Sequence, residues 1–331
     1  MDVRVADNLG VKTEIMEMFG IRLPVVAGGL MWLSNADYVA AAANAGIIGF
    51  ITAASFPDPD DLRAEIRRCR DLCGDAPFGV NVSMLPKLVP GEKTADVFRL
   101  IADEGVRFVE TSGRNPEEYM PILKDAGIKV LHKVPAVRYA MKAQSVGVDA
   151  VAIVGAECGG HPGMDMIGSF VNAAMAERDL KIPFLIGGGV GQGSQIAAAV
   201  LMGASGVVVG TRFLVAEEIW AHDNFKAALV NATERDTALI LQSVRNTVRS
   251  LKNETTEIVS KMEAENPNGG IEPLLPHVSG KVGRKAYETG DVSRGLLSAG
   301  QSLTFVDKIE PLAEIVLRLE TEMATAIERL R

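Results

Sequence analysis

Eight short apolar runs, separated by stretches with helical periodicity, constrain the fold of this chain more than any other feature. Short continuous runs rich in Val and Ile are typical of parallel strands that are buried on both faces. The runs are 23–27, 47–52, 78–82, 106–111, 129–132, 150–154, 183–186 and 206–209. Helical patterns lie between them at 59–73, 94–104, 116–126 and 136–146.

This alternation predicts an α/β protein with a (β/α)8 barrel, the TIM barrel. The competing fold is an open, doubly wound sheet, which carries a Gly-x-Gly-x-x-Gly fingerprint after its first strand. The first apolar run is instead followed by Gly28-Gly29-Leu30-Met31-Trp32, which lacks that spacing. The barrel is therefore the predicted fold, and we expect it to comprise residues 1–212 and 305–331.

The rhythm of strands and helices changes after Arg212. Residues 213–262 have a mainly helical pattern without a clear strand, and residues 266–276 form a connector rich in Pro, Gly and Asn. Residues 309–331 have the pattern of an amphipathic helix with a charged outer face. We predict a helical lobe, residues 213–304, inserted after strand eight over the barrel mouth, with the last helix closing the barrel.

Composition excludes several classes of protein. Of the 331 residues, 47% are hydrophobic and 23% are charged, so the chain can bury a large core. The net charge of -8 argues against a nucleic-acid partner, which usually meets a basic face. No run of about 18 apolar residues occurs, so no membrane span is predicted. Cys69, Cys73 and Cys158 fit neither a disulfide framework nor a zinc site, so we expect no metal and a cytoplasmic location.

Glycine-rich turns follow several predicted strands at the end where barrels carry their sites. Gly28 and Gly29 follow the first strand, where paired glycines let backbone N–H groups face a flat ligand; an ordinary turn is the alternative. Turns 187–189 and 210–211 follow the last two strands, and two such turns can direct N–H groups at one phosphate. Arg212 would pair with that phosphate or with a barrel carboxylate.

Three polar side chains lie near predicted strand ends. Asn81 can donate and accept hydrogen bonds at once, which suits a ring with both kinds of group, or it caps the next turn. Lys133 favours an anionic ligand or a reaction intermediate, or it reaches solvent from the rim. Gly159-Gly160-His161 places an imidazole in a glycine-rich loop after the sixth strand, which suggests a chemical role; an exposed turn histidine is the alternative.

Three other ionisable residues near these turns have plainer interpretations. His132 is expected to be packed rather than catalytic. Glu110 and Glu157 could act as paired acids, but charged residues beside glycine loops are more often structural. The four histidines show no spacing of metal ligands.

Together these motifs resemble the nitronate monooxygenase superfamily of FMN-dependent barrel enzymes, which also includes FMN enoyl reductases. The matching landmarks follow one another in the right order along the whole predicted barrel. They are Gly28-Gly29, residues 78–81, residues 110–113, His132-Lys133, Gly159-Gly160-His161, residues 187–189 and residues 210–213.

Within that superfamily the chain looks most like the bacterial NADH:quinone reductase branch. Three segments carry this resemblance: the histidine loop 157–163, the Ser-Val-Arg-Asn-Thr run 243–247, and the C-terminal signature 283–300. Met31, Met164, Met166 and the stretch 301–305 depart from the pattern of the branch, and they lie near the predicted mouth.

The resemblance implies non-covalently bound FMN, with binding residues taken over position by position. Gly28, Gly29 and Leu30 would face the isoalloxazine, and Asn81 and Lys133 would bind its polar edge and the ribityl region. The ribityl phosphate and nearby oxygens would be held by Gly159, Gly160, Gly188, Gly189, Gly210 and Thr211. His161 would lie over the reactive face of the ring.

The resemblance also implies two enzymatic functions. In the preferred one, NADH as co-substrate gives hydride to FMN, whose electrons then go to a quinone while His161 positions or protonates the acceptor. In the alternative, an alkyl nitronate is oxidised with oxygen, and His161 orients the nitro compound or deprotonates its neutral form. An FMN enoyl reductase and a non-catalytic flavin-binding protein are further alternatives. The partners are then small molecules, and a homodimer is left open.

Overall fold

The computed structural model describes residues 10–84 and 93–329. Eight parallel strands form a closed barrel in sequential order, and Val25 of β1 pairs with Val207 of β8 to close it. The strands are β1 (Val25–Ala27), β2 (Ile48–Thr52), β3 (Phe78–Met84), β4 (Phe108–Gly113), β5 (Lys129–Val134), β6 (Ala150–Val154), β7 (Phe184–Gly187) and β8 (Gly206–Val209). The predicted (β/α)8 barrel is confirmed.

Helices alternate with these strands and cover the barrel. In the described residues up to β8 they are α1 (Glu14–Phe19), α2 (Ala36–Asn44), α3 (Pro59–Cys73), α4 (Thr94–Asp103), α5 (Met120–Asp125), α6 (Val137–Ser145), α7 (Ser169–Asp179) and α8 (Gly193–Leu201). In α3, for example, the side chain of Asp58 caps the first turn, and Leu62, Ile66 and Cys69 follow at intervals of three or four residues and face the core.

The barrel interior is filled by apolar side chains from alternate strand positions. Helix α1 precedes β1 and contributes Ile15 and Phe19 to this interior cluster. The Phe19 ring meets Phe50 and Phe108 edge to face, with centroids 6.2 Å and 5.1 Å away. Edge-to-face contacts stabilise the packing beyond the area they bury. Because Ile15 and Phe19 pack onto the interior cluster, α1 closes one end of the barrel.

The region after β8 contains a β-hairpin, so the prediction of a mainly helical stretch without a strand over 213–262 was wrong. Strands β9 (Thr237–Ile240) and β10 (Val248–Leu251) pair antiparallel. All four residues of β10 are buried, including the polar Arg249 and Ser250. A four-residue strand with buried polar residues shows no alternation of apolar and polar positions, which is why its sequence pattern was not recognised.

Further helices complete the chain. They are α9 (Asp223–Val230), α10 (Glu254–Glu265), α11 (Leu275–Val278), α12 (Gly280–Thr289) and α13 (Leu312–Glu328). The hairpin and α10 share a small apolar core that includes Ile240, Val248 and Val259. Helix α13 packs against α8 and α2. None of the helices in the described ranges is long and apolar enough to cross a membrane.

Candidate active site

A buried carboxylate, Glu110, organises the ends of four strands. Its side chain is fully buried, and both of its oxygens lie 3.1 Å from Lys133 Nζ. Oε2 also accepts hydrogen bonds from Asn81 Nδ2 at 2.5 Å and from the Gly29 N–H at 3.1 Å. Gly29, Asn81 and Lys133, which the sequence predicted to bind a ligand, therefore all contact the Glu110 carboxylate. The charge of Lys133 is compensated within the protein, and Glu110 is structural in the sense that the sequence suggested.

Strand register produces this arrangement. Asn81 of β3 lies directly beside Glu110 of β4, and Ser112 of β4 lies beside Lys133 of β5. Side chains of a strand alternate between its faces, so Glu110 and Ser112, two residues apart, face the same side. Lys133 is therefore one inward-facing position beyond Glu110, and its long side chain reaches back to the carboxylate, which the Asn81 amide contacts from the neighbouring position.

The glycines after β1 are explained by the protein's own packing. A Cβ atom at Gly29 would lie 2.6 Å from Asn81 Cβ, and one at Gly28 would lie 2.9 Å from Val208 Cγ1. Both distances are too short for carbon atoms that are not bonded. The two glycines therefore let the turn approach β3 and β8 closely.

Gly210 differs from these two glycines. A Cβ atom there would contact only Leu30 Cδ2, at an ordinary 3.6 Å, and the φ angle of −122° is available to any residue. Among the described residues, the backbone N–H groups of Gly188, Gly189 and Gly210 donate no hydrogen bond to the protein. The two turns after β7 and β8 thus offer unused donors, and the turn after β8 also has room beside Gly210.

A second carboxylate ties the loops after β6 and β7 together. Glu157 accepts hydrogen bonds from the N–H and the hydroxyl of Ser169, the first residue of α7, at 3.1 Å and 2.9 Å. Ser169 Oγ lies 2.8 Å from the carbonyl oxygens of both Gly187 and Gly188. A carboxylate at a helix N-terminus is favourable, so Glu157 is also structural.

The segment just before α13 reaches the same loops. The N–H of Gly300 donates to Thr211 Oγ1 at 2.9 Å, and a Cβ atom at Gly159 would lie 2.7 Å from the Ala299 carbonyl carbon. Arg212 is buried and pairs with Glu310 at 3.1 Å. Of the two partners considered for Arg212, the carboxylate is the one observed, although it comes from beyond the barrel strands.

His132, within β5, and His161, in the loop after β6, have different environments. His132 is buried, its Nδ1 lies 2.8 Å from Thr111 Oγ1, and burial lowers its pKa to about 4. The expectation that it is packed is confirmed. His161 is accessible to solvent, yet the surrounding protein displaces enough water to lower its pKa from the ordinary value. Its imidazole is therefore mostly neutral at pH 7 and can reach a small molecule.

The loop that carries His161 is held by the β-hairpin. Gly160 and Arg249 exchange backbone hydrogen bonds of 2.9 Å and 2.7 Å. The neighbouring Cys158 is buried, which raises the pKa of its thiol to about 12, so this thiol is unreactive at neutral pH. Sequence reasoning noticed the run 243–247 but missed Arg249 two residues later. Its sequence context mixes polar and apolar residues and gives no signal of this role.

The structure thus brings the nominated residues to one end of the barrel in two connected groups. The first group surrounds Glu110 or the turn beside it and consists of Gly28, Gly29, Leu30, Asn81, Lys133 and Gly210. The second group belongs to the adjoining loops and consists of Gly159, Gly160, His161, Gly188, Gly189 and Thr211. Within the two described ranges, no group of three or more metal-binding side chains is assembled. These features define a class: a (β/α)8 enzyme whose site is built from glycine-rich loops at the carboxyl ends of its strands.

Comparison with known proteins identifies the family within this class. The profile of the nitronate monooxygenase family matches residues 12–322, and the chain belongs to this family. The family is one of FMN-dependent oxidoreductases, so the protein is an oxidoreductase.

Curated relatives carry two different activities in their names. The chain is 31% identical over 279 residues to the (3aS,4S,5R,7aS)-5-hydroxy-7a-methyl-1-oxo-octahydro-1H-indene-4-carboxyl-CoA dehydrogenase of Mycobacterium tuberculosis, covering 84% of this chain and 76% of the relative. It is 26% identical over 368 residues to a nitronate monooxygenase of Paraburkholderia phytofirmans, covering 99% of each.

Two solved structures have the same fold as this chain over nearly its whole length. FabK from Thermotoga maritima superimposes with a TM-score of 0.88 at 31% identity, covering 97% of this chain and 99% of that one. The nitroalkane oxidase from Streptomyces ansochromogenes superimposes with a TM-score of 0.78 at 26% identity, covering 96% and 99%.

Proposed function

We propose that the protein is an FMN-dependent NADH:quinone reductase. One observation carries the proposal: the three segments that resemble this branch, distant in sequence, meet at one place. The histidine loop contacts β10 through Gly160, Thr247 Oγ1 lies 3.1 Å from Met164 Sδ just after that loop, and Ala299 lies against Gly159. Segments that jointly surround the catalytic candidate are those expected to decide which acceptor reacts.

The residues present fit FMN. Its phosphate would be held by the unused N–H groups of Gly188, Gly189 and Gly210, which fit an anion in number and kind. Thr211 Oγ1 already accepts a hydrogen bond from Gly300, so its own proton remains to be donated to a phosphate oxygen. The space beside Gly210, which the packing of the protein does not explain, would then hold the phosphate.

The rest of the flavin would lie against the group around Glu110. Gly28, Gly29 and Leu30 would form the backbone wall for the ring, as the resemblance suggested. Asn81 and Lys133 would contact its polar edge while remaining fixed by Glu110, so the site presents oriented donors without a net charge from the ion pair. Bound FMN would supply hydride acceptance from NADH and electron transfer to the quinone.

His161 would act on the acceptor. Because desolvation keeps its imidazole mostly neutral at pH 7, one ring nitrogen can donate a hydrogen bond to a quinone carbonyl oxygen. Where a proton is transferred, it would come from the imidazolium form of His161, which returns to neutral imidazole as the reduced oxygen is protonated. Binding of NADH itself needs no base from the protein.

A second candidate function is nitronate oxidation. It is favoured by the relative that matches over 99% of both chains and bears that name. The same accessible imidazole would then take a proton from the carbon of a neutral nitroalkane. A CoA thioester is a further substrate class to include, because the relative at 31% identity is named for one.

Anaerobic stopped-flow spectroscopy tests these proposals. The purified protein is mixed separately with NADH and with an alkyl nitronate, and bleaching of the flavin band is followed. Enzyme reduced by NADH is then mixed with a benzoquinone or with an enoyl-CoA. We expect rapid bleaching by NADH and rapid reoxidation by the quinone. Bleaching by nitronate with none by NADH would refute the proposed function in favour of nitronate oxidation.

A further inference from the structure

Arg249 holds the histidine loop from two sides. Its backbone pairs with Gly160, the residue immediately before His161, through N–H to O distances of 2.9 Å and 2.7 Å. Its guanidinium group reaches back to the start of the same loop, where Nε and Nη2 donate to the Ala156 carbonyl oxygen at 3.2 Å and 2.8 Å. Nη1 donates to Thr237 Oγ1 of the adjacent strand at 3.0 Å.

This arginine is placed at an energetic cost. It is 7% exposed, and burial lowers the pKa of its guanidinium group. Within the described residues its hydrogen bonds go to a carbonyl and a hydroxyl, and none goes to a carboxylate. The nearby Glu157 carboxylate favours the charged form of Arg249, but burial outweighs it and still lowers the pKa, so a role in stability alone is a poor explanation for this arginine.

Glu157 holds the start of the loop through Ser169, but the two residues just before His161 have no side chain that could hold the rest of it. Gly159 and Gly160 have no side chain, and Gly160 has a φ of +76° in the left-handed region. Gly160 itself is held by its backbone hydrogen bonds to Arg249. The bonds to Ala156 and Gly160 fix both ends of the five-residue stretch that leads to the imidazole.

We propose that Arg249 is a positioning residue that sets the orientation of the His161 imidazole toward the electron acceptor. The role in acceptor reduction rests on the proposed function, whereas the anchoring of His161 does not. Arg249 touches neither acceptor nor flavin in this proposal and acts through the histidine loop alone.

Kinetics of the two half-reactions test the consequence. Arg249→Met removes the guanidinium and keeps an unbranched apolar stem, and Arg249→Lys keeps the charge but loses the two-nitrogen contact with Ala156. We expect Arg249→Met to lower kcat/KM for the quinone about 10- to 100-fold, because small misplacements of catalytic groups have effects of this size. The rate of flavin reduction by NADH should change less than about twofold, and FMN content should be retained. Arg249→Lys should fall between Arg249→Met and the parent.

Arg235→Met is the matched control, because Arg235 is 88% exposed and precedes the same hairpin. A double-mutant cycle with His161→Asn separates positioning from general destabilisation. If Arg249 acts through His161, then Arg249→Met should have no further effect on the quinone reaction in the His161→Asn background. Equal, multiplying losses in the two backgrounds would overturn the proposal.

A measurement independent of turnover examines the anchoring itself. The titration of His161 is followed by NMR on protein labelled at histidine, with His161→Asn to assign the signal. In Arg249→Met the loosened loop admits water, so the pKa of His161 should rise toward its ordinary value, whereas Arg235→Met should leave it unchanged. An unaltered titration in folded Arg249→Met would overturn the anchoring role. If NADH and quinone prove inactive while the pKa moves as expected, the proposed function fails and the anchoring stands.

Discussion

Replacing Lys133 with methionine should expose the energetic importance of the buried carboxylate at the site. Glu110 is fully buried, and Lys133 Nζ lies 3.1 Å from both of its oxygens. Lys133→Met preserves most of the side-chain volume but removes the only cation that contacts Glu110 among the described residues. The carboxylate would keep its hydrogen bonds from Asn81 and Gly29.

The size of the effect follows from the exposure of the two partners. Breaking a fully buried ion pair by removing one partner costs about 3–5 kcal/mol. The Lys133 side chain is 22% exposed, so its ammonium group is already partly hydrated, and two hydrogen-bond donors to Glu110 remain. We therefore expect a loss at the lower end, about 3 kcal/mol.

Urea unfolding of FMN-free protein at pH 7.5, followed by circular dichroism, measures this loss. Lys124→Met is the matched control, because Lys124 is an exposed lysine on α5, and it should change the free energy of unfolding by less than about 0.5 kcal/mol. The double variant Lys133→Met/Glu110→Gln should recover most of the loss, since the uncompensated charge is gone. A loss below about 1 kcal/mol for Lys133→Met alone, or no recovery in the double variant, would refute this account of the pair.

Three further predictions concern the histidines and the phosphate turn. The pKa of His132 is about 4 in the folded protein against an ordinary 6.5, so its neutral form stabilises the fold above pH 6.5. This contribution of about 3 kcal/mol is lost as the pH falls toward 4. Urea unfolding of His132→Gln should therefore depend less on pH between 6.5 and 4 than unfolding of the parent protein. Gly210→Asp should weaken FMN retention at least tenfold, because a carboxylate would occupy the space meant for the phosphate and repel it; flavin fluorescence after gel filtration reports this, and full occupancy in a folded variant would contradict it. His161→Asn should keep most of the reduction by NADH but lose activity toward quinones; a variant with slow reduction by NADH and normal quinone turnover would reverse the assignment of its role.

The sequence by itself determined the barrel and the end of it that carries the site. Eight buried parallel strands leave a strong local signal, because each strand needs a short continuous apolar run and each helix needs its own periodicity. The turns after the strands were visible for the same reason. The glycines at 28–29, 187–189 and 210 stand out as a residue type directly after a strand, although the neighbours that require Gly28 and Gly29, Val208 and Asn81, come from distant strands.

Tertiary structure alone decided which partners the polar residues of the site contact. Lys133 was interpreted as a group facing a ligand or solvent, but its side chain reaches Glu110 on the neighbouring strand, and Asn81 contacts the same carboxylate. No spacing along the chain encodes that pairing, since the three residues come from different strands.

The same limit applies to Arg249 and its hairpin. Four-residue strands with buried polar side chains lack the alternation that marks a strand, and Arg249 reads in sequence as an ordinary surface charge. It becomes an anchor of the histidine loop only because the chain returns 89 residues after Gly160 to pair with that loop. Local patterns fix which elements form, whereas contacts between distant segments, which depend on packing and register, fix which side chains meet at the site.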